Sequence, residues 1–261
     1  MNVSMMDAYN LSWKLAHVLN YLSPITLLQT YQHERLEIAR QLIAFDTEFS
    51  SMFSGQISSD PDSGLTHDEF LSVFRTGSGF TSGCGIEYPP STIVSPDVHS
   101  AVQDGERELG LLWPGRRLAN VRTKRFADAA PRDLQDDLPS TGVYRLLVLL
   151  PTTPLPQEAL LEYAARIPDL FPHGVLETAI IFPRREDRVE WTDFPDAVRE
   201  RWEWLLLEDA YSEVYGTFGV DSARGAVAVV RPDGVVGMVA GVEDAGVVEG
   251  WLRGVLWAMD G

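Results

Sequence analysis

From Gly142 onward, apolar runs of strand length alternate with helical spacing, and this pattern limits the possible folds more than any other feature of the chain. Val143–Leu150 is a nearly continuous apolar run, which fits a strand buried on both faces of a sheet. Gln157–Ile167 then sets Leu160, Leu161 and Ala164 along one side of a helix, and Val175–Phe182 supplies a second strand. Ala226–Val230 and Val235–Ala240 flank Arg231-Pro232-Asp233-Gly234. Proline pre-sets that turn and glycine accepts a positive φ, so the two runs read as a β-hairpin. Val247–Met259 reads as a closing helix.

Strand, helix, strand, a variable stretch, a hairpin and a final helix is the order of an α/β, thioredoxin-like fold. Upstream the texture differs. Leu11, Leu15, Val18, Leu19 and Leu22 recur at spacings of three and four, an apolar stripe along a first helix over residues 4–22. Ser23-Pro24 reads as an N-cap followed by a proline at the first helical position. Leu27, Leu28, Tyr31, Ile38, Leu42 and Ile43 carry a second helix to about Phe49. Residues 50–136 are rich in glycine, proline, serine and aspartate and read as connecting structure with short patches such as Asp68–Phe74. Thr76–Gly85 is glycine-rich but lacks a following Lys-Ser/Thr and a strand-to-helix setting, so it reads as an irregular loop rather than a phosphate cradle.

A chain of 261 residues can bury roughly 70–75% of its unfolded surface, enough for a sizeable core. With 45% hydrophobic and 23% charged residues it has the composition of an ordinary globular protein. A formal net charge of −17 disfavours nucleic acid and anionic bilayers as partners. The single cysteine, Cys84, precludes an internal disulfide, a CxxC redox pair and a multi-thiolate metal site, and fits a reducing, cytoplasmic setting. Met1–Asp7 has neither a basic nor an apolar signal-peptide region. Even the longest purely apolar runs, such as Leu146–Leu150, are far short of the ~18–20 residues of a membrane span.

The opening Met1-Asn2-Val3-Ser4-Met5-Met6-Asp7-Ala8-Tyr9-Asn10-Leu11-Ser12-Trp13-Lys14-Leu15-Ala16 resembles the helix that follows the second flavin-contacting motif of the phenol hydroxylase branch of group A flavoprotein monooxygenases. Leu27–Arg35, Leu42–Asp46, Phe80–Gly83 and Tyr88–Ser91 agree with that branch. Tyr215–Asp221 and Gly225–Gly234 resemble its C-terminal, thioredoxin-like dimerisation domain, which also lacks the redox dithiol. The resemblance is collinear over nearly the whole chain. It implies an FAD-dependent enzyme, with NAD(P)H as reductant, that inserts one oxygen atom into a phenolic or aromatic substrate. It further implies that Met1, Asn2 and Val3 contact the flavin, because free N–H groups and the positive dipole end at a helix start stabilise negative charge on the pyrimidine ring.

The Gly-x-Gly-x-x-Gly fingerprint that holds the ADP half of FAD does not occur in this sequence. Nor do the second fingerprint and the acid/base residues that the resemblance would place upstream. The expectation is therefore a truncated C-terminal portion that does not bind FAD stably, with no catalytic and no metal residue to assign. It divides into a helical remnant of the FAD-binding domain (1–75), a connecting segment (76–135) and the thioredoxin-like domain (136–261). The competing expectation is a non-catalytic, redox-inactive dimerisation or interaction module, either a homodimer or a partner of an N-terminal half.

His17, His33, His67, His99 and His173 lack the i, i+4 spacing of a helical zinc site, and no Gly-x-Ser-x-Gly elbow occurs. Asp7, in the expected first turn, and Glu34-Arg35 read as structural charges. Trp191, Trp202 and Trp204 read as core or interface aromatics. Residues 1–50 are expected to be the less stable part, with Leu11, Leu15, Leu27 and Leu28 partly uncovered.

Overall fold

The computed structural model describes residues 2–55, 77, 85–98, 110–153, 155–183, 190–200, 205–208 and 213–259. Most of the glycine-rich loop, the patch at 68–74, Met1, Cys84, His67, His99, Trp202 and Trp204 lie outside the described residues.

A seven-stranded mixed sheet organises the chain, in the order β2-β1-β5-β4-β3-β6-β7. Its centre is β3 (Tyr144–Leu149), parallel to β4 (Leu176–Phe182) on one side and antiparallel to β6 (Ala226–Val230) on the other. β7 (Val236–Ala240) closes the hairpin with β6, and α7 (Ala245–Val255) follows it. These four strands with their connecting and closing helices form the expected thioredoxin-like unit. Every residue of β3 is buried, as an interior strand covered on both faces requires.

Because side chains alternate across a strand, β3 feeds two cores. Tyr144, Leu146 and Val148 point into one, beneath Leu160, Tyr163, Val248 and Leu252, together with Trp13 and Leu27 of the N-terminal helices. Leu147 and Leu149 point into the other, beneath Leu112, Leu134 of α3 (Leu134–Asp137), and Val214, Tyr215 and Phe218 of α6 (Val214–Phe218), while α5 (Asp196–Arg199) lends Val198 to the first. Burying one such leucine stabilises the fold by about 2–3 kcal/mol.

The expected elements appear with small shifts. A bulge at Val229/Val230 delays β7 to Val236. The predicted helix at 157–167 is α-helical only over α4 (Gln157–Leu161) and then widens into a π turn (Glu162–Arg166), where Ile167 N–H donates to the Glu162 carbonyl. The Tyr163 carbonyl accepts instead from the Thr178 hydroxyl on β4. The closing helix stops at Val255 because the tail is strapped down: Trp257 N–H donates to the Leu22 carbonyl and Met259 N–H to that of Leu170.

Three strands carried no sequence signal. β1 (Arg122–Arg125) and β2 (Pro131–Asp133) form a short, charged edge hairpin within the stretch read as connecting structure, and β5 (Leu205–Glu208) joins β1 to β4. Charge and brevity suit an edge, where they discourage further pairing.

α1 (Asn2–Leu19) and α2 (Gln29–Gly55) form the N-terminal pair, with a 3₁₀ turn (Ile25–Leu28) between them. Pro24, rather than Ser23, holds the cap position of that turn, and the Ser23 hydroxyl lies 3.2 Å from His17 Nδ1. Among the described residues, no helix is long and apolar enough to cross a membrane.

Candidate functional site

The side of α1 that meets the sheet domain is not its apolar stripe. Asn10, Trp13, Lys14 and His17 are buried, whereas Leu15 is 38% and Leu19 73% exposed and Leu11 and Val18 are half-buried. Spacings of three and four place these four residues on one helical face. α2 presents Glu34, Arg35 and Ile38 to the same layer, all buried. Leu27 is also buried and Leu28 half-buried, so the expected partial uncovering holds for Leu11, Leu15 and Leu28 and not for Leu27.

Into that layer projects the β6–β7 turn. Arg231 forks onto Glu34, Nη1 to Oε1 at 2.5 Å and Nη2 to Oε2 at 3.1 Å, and onto Asp233 through Nε at 3.0 Å and Nη2 at 2.5 Å. Lys14 Nζ donates to Glu34 Oε2 at 2.7 Å. Asn10 Nδ2 donates to both Glu34 and Asp233, and Trp13 Nε1 donates to Asp233 at 3.1 Å. The Arg231 guanidinium lies 5.5 Å from the Trp13 ring centre and 5.3 Å from that of Tyr88. Two cations thus meet two carboxylates with almost no solvent contact, and bidentate geometry is what lets such a cluster offset its desolvation.

The electrostatics follow from this packing. Burial alone would raise the Glu34 carboxyl, but Arg231 and Lys14 outweigh it and hold the pKa down at about 2. Burial pushes Lys14 down to about 8 despite the Glu34 attraction. Arg231 is held above its usual range, since Asp233 and Glu34 outweigh its desolvation. Burial raises the Tyr88 and Tyr144 hydroxyls. The cluster is thus a buried lattice of opposite charges that hold one another in place.

Further contacts tie α1 down. Tyr9 Oη donates to the Pro232 carbonyl at 2.7 Å. His17 Nε2 lies 2.7 Å from the Gly142 carbonyl oxygen, which fixes the proton on Nε2, and burial lowers the ring's pKa. Arg35 pairs with Asp7 at 2.5 Å and donates to the Tyr88 hydroxyl at 2.9 Å. Asp7 therefore sits beyond the first turn, because α1 starts at Asn2, and serves Arg35 rather than the helix dipole. A cavity of about 40 Å³ opens between Met6, Asn10, Tyr88, Arg117 and Asp233.

Of the residues expected to touch flavin, Met1 lies outside the described residues, Asn2 opens α1, and Val3 is half-buried. The first turn of α1 carries no acidic side chain. Among the described residues, no group of three or more His, Cys, Asp or Glu could hold a metal ion. Trp191 stacks on Phe126 beside Phe194.

Residues 86–259 match the family described as phenol hydroxylase, C-terminal dimerisation domain, and residues 1–46 match the FAD binding domain family. The chain is 31% identical to phenol 2-monooxygenase fsqG of Aspergillus fumigatus over 94% of its own length and 42% of that protein. It is 29% identical to 3-hydroxybenzoate 4-monooxygenase of Comamonas testosteroni over 99% of its length and 44% of that protein. The chain thus spans less than half the length of these curated relatives. The crystal structure of aklavinone-11 hydroxylase with FAD and aklavinone shares the fold, with a TM-score of 0.55 at 21% identity over 97% of this chain and 39% of that one. With a family match extending over more than half of its residues, the chain belongs to the phenol hydroxylase C-terminal dimerisation domain family.

Proposed function

We propose that these 261 residues act as the C-terminal portion of an FAD- and NAD(P)H-dependent monooxygenase that hydroxylates phenolic or aromatic substrates. The observation that carries this reading is collinearity: an FAD-domain match over 1–46 is followed, in one chain, by the dimerisation-domain match over 86–259. We read residues 1–75 as the helical remnant of the FAD-binding domain, 76–135 as the connecting segment and 136–261 as the thioredoxin-like domain.

Met1, Asn2 and Val3 are the residues that would hold the flavin pyrimidine edge, and their acid-free helix start supports that fit. FAD, when bound, supplies the oxygen-transfer chemistry. The contribution of this chain is to present backbone N–H groups at one end of α1 and to hold that helix still. No residue here receives a catalytic role.

One edge of a cofactor is too little to retain it, so the chain by itself is inactive in this reading. Purified protein incubated with FAD, NADPH and phenol should emerge from gel filtration colourless and show no phenol-dependent NADPH oxidation. Stoichiometric yellow flavin with such oxidation would overturn the inactivity. The coding sequence upstream of the Met1 codon tests the larger claim: an open frame with a Gly-x-Gly-x-x-Gly fingerprint is the expected result, and a frame without one contradicts it.

A second reading, a redox-inactive dimerisation or interaction module, is favoured by the greater extent of the dimerisation-domain match. The partner is then a second copy or an N-terminal half. The lone cysteine supports a cytoplasmic location for either reading.

A further inference from the structure

We propose that Arg231 is a positioning residue: anchored on the β6–β7 turn by Asp233, it fixes through Glu34, Lys14 and the indole of Trp13 the axial placement of α1, and with it the helix start at Asn2 and Val3. The inference rests on the reading of that start as a flavin contact and adds to it a mechanical link from the thioredoxin-like domain.

The geometry is directional at every contact. Three consecutive residues of the turn each address the helix pair: Arg231 bonds Glu34, the Pro232 carbonyl accepts from Tyr9, and Asp233 accepts from Asn10 and Trp13. The turn itself is held by Gly234 N–H donating to the Arg231 carbonyl at 2.9 Å, with Gly234 at φ +75°. Apolar contacts tolerate a slide of one helix over another, but a slide of the helix pair by one turn, about 5.4 Å, would break every bond between the turn and the helices and part Glu34 from Arg231 and Asp233 from Asn10 and Trp13. Val3 and Asn10 are seven residues apart, about 10 Å along a stiff helix, so the keyed position at Asn10 sets the position of the helix start. A buried ionic cluster is retained for such register-setting more readily than for net stability.

Hydrogen-exchange mass spectrometry on the full chain tests this without any flavin, comparing peptides from α1 with peptides from β3. Arg231→Met should speed exchange across α1 by roughly tenfold or more while β3 changes by less than about twofold. Arg231→Lys should restore α1 only in part, since an ammonium cannot fork onto Glu34 and Asp233 together. Because Arg231→Met leaves excess buried negative charge, Glu34→Met/Arg231→Met provides a charge-balanced second variant. It should keep a near-native unfolding midpoint yet still exchange faster in α1. Unchanged α1 protection in both variants, or α1 and β3 rising together in both, overturns the proposal. That failure leaves the flavin reading intact, because the upstream coding sequence tests the latter separately.

Discussion

Glu34 on α2 receives both arms of the Arg231 guanidinium from a residue 197 positions away, and neither side chain is exposed to solvent. This pair joins the segment matched to the FAD binding domain to the segment matched to the dimerisation domain. Several consequences can be measured.

Removing the charge of Glu34 should be far more costly than removing that of Lys14. Glu34→Gln leaves two buried cations sharing Asp233 and should destabilise by about 3–5 kcal/mol. Lys14→Met replaces a cation already disfavoured by burial with an apolar chain of similar length, and should cost less than half as much. Urea unfolding of the two variants checks the order, and equal losses would contradict it.

Stability should fall on the acid side, and three groups act in the same direction. The carboxyl of Glu34 is lowered from 4.5 to about 2, so its contribution is present above about pH 4.5 and is lost as pH falls towards 2. Burial lowers His17 from 6.5, so the unfolded chain takes up a proton that the folded chain resists and stability declines as pH drops below 6.5. Lys14, lowered from 10.5 to about 8, makes the unfolded chain bind more protons between those values, so its term favours the fold as pH rises through that window. Unfolding midpoints in a pH series should show the His17 component disappear in His17→Phe.

Gly225 should not tolerate a side chain. Its φ is +72°, and an added Cβ would stand 2.4 Å from the Leu149 carbonyl oxygen and 2.9 Å from Pro151 N. Gly225→Ala should therefore cost about 2–3 kcal/mol, through strain and displacement of β6 from the end of β3, as read by thermal unfolding.

The hydroxyl of Tyr215 donates to the carbonyl of Leu150 at 2.6 Å and lies 3.1 Å from that of Ile181, pinning the ends of β3 and β4 together. Tyr215→Phe keeps the ring and should cost about 1–2 kcal/mol, since two buried acceptors lose a donor. A change below about 0.5 kcal/mol in urea unfolding would show that water replaces it.

Light scattering coupled to size exclusion should report a homodimer at micromolar concentration, following the dimerisation-domain reading. A strictly monomeric species would count against it.

How much was legible in the sequence varies with the kind of signal. β3, β4, β6, β7 and α7 announced themselves because fully or almost fully buried strands are apolar runs and α7 buries Val248, Leu252 and Val255 at helical spacing. β1 and β2 did not, since Arg-Thr-Lys-Arg and Pro-Arg-Asp look like solvated loop and form strands only because the edge of β5 is there to pair with. On α1 the leucine stripe is partly uncovered, as expected, but it does not reveal which face meets the sheet. The buried face is Asn10, Trp13, Lys14 and His17, and its signal was the three-and-four spacing of large polar residues around a tryptophan. Lys14, Glu34, Arg231 and Asp233 each look like surface charges in isolation; only the fold brings them together. Asn2 and Val3 stand at the start of α1, and the flavin contact proposed for them rests on family resemblance alone.

A double-mutant cycle between Glu34 and Arg231, built from Glu34→Gln, Arg231→Met and the double variant and read by urea unfolding of the full chain, tests the union of the two segments most directly. If the fork holds the helix pair to the sheet, the coupling energy should be at least about 2 kcal/mol. A value under about 0.5 kcal/mol would mean that the two side chains act independently and that the helices are held by other contacts.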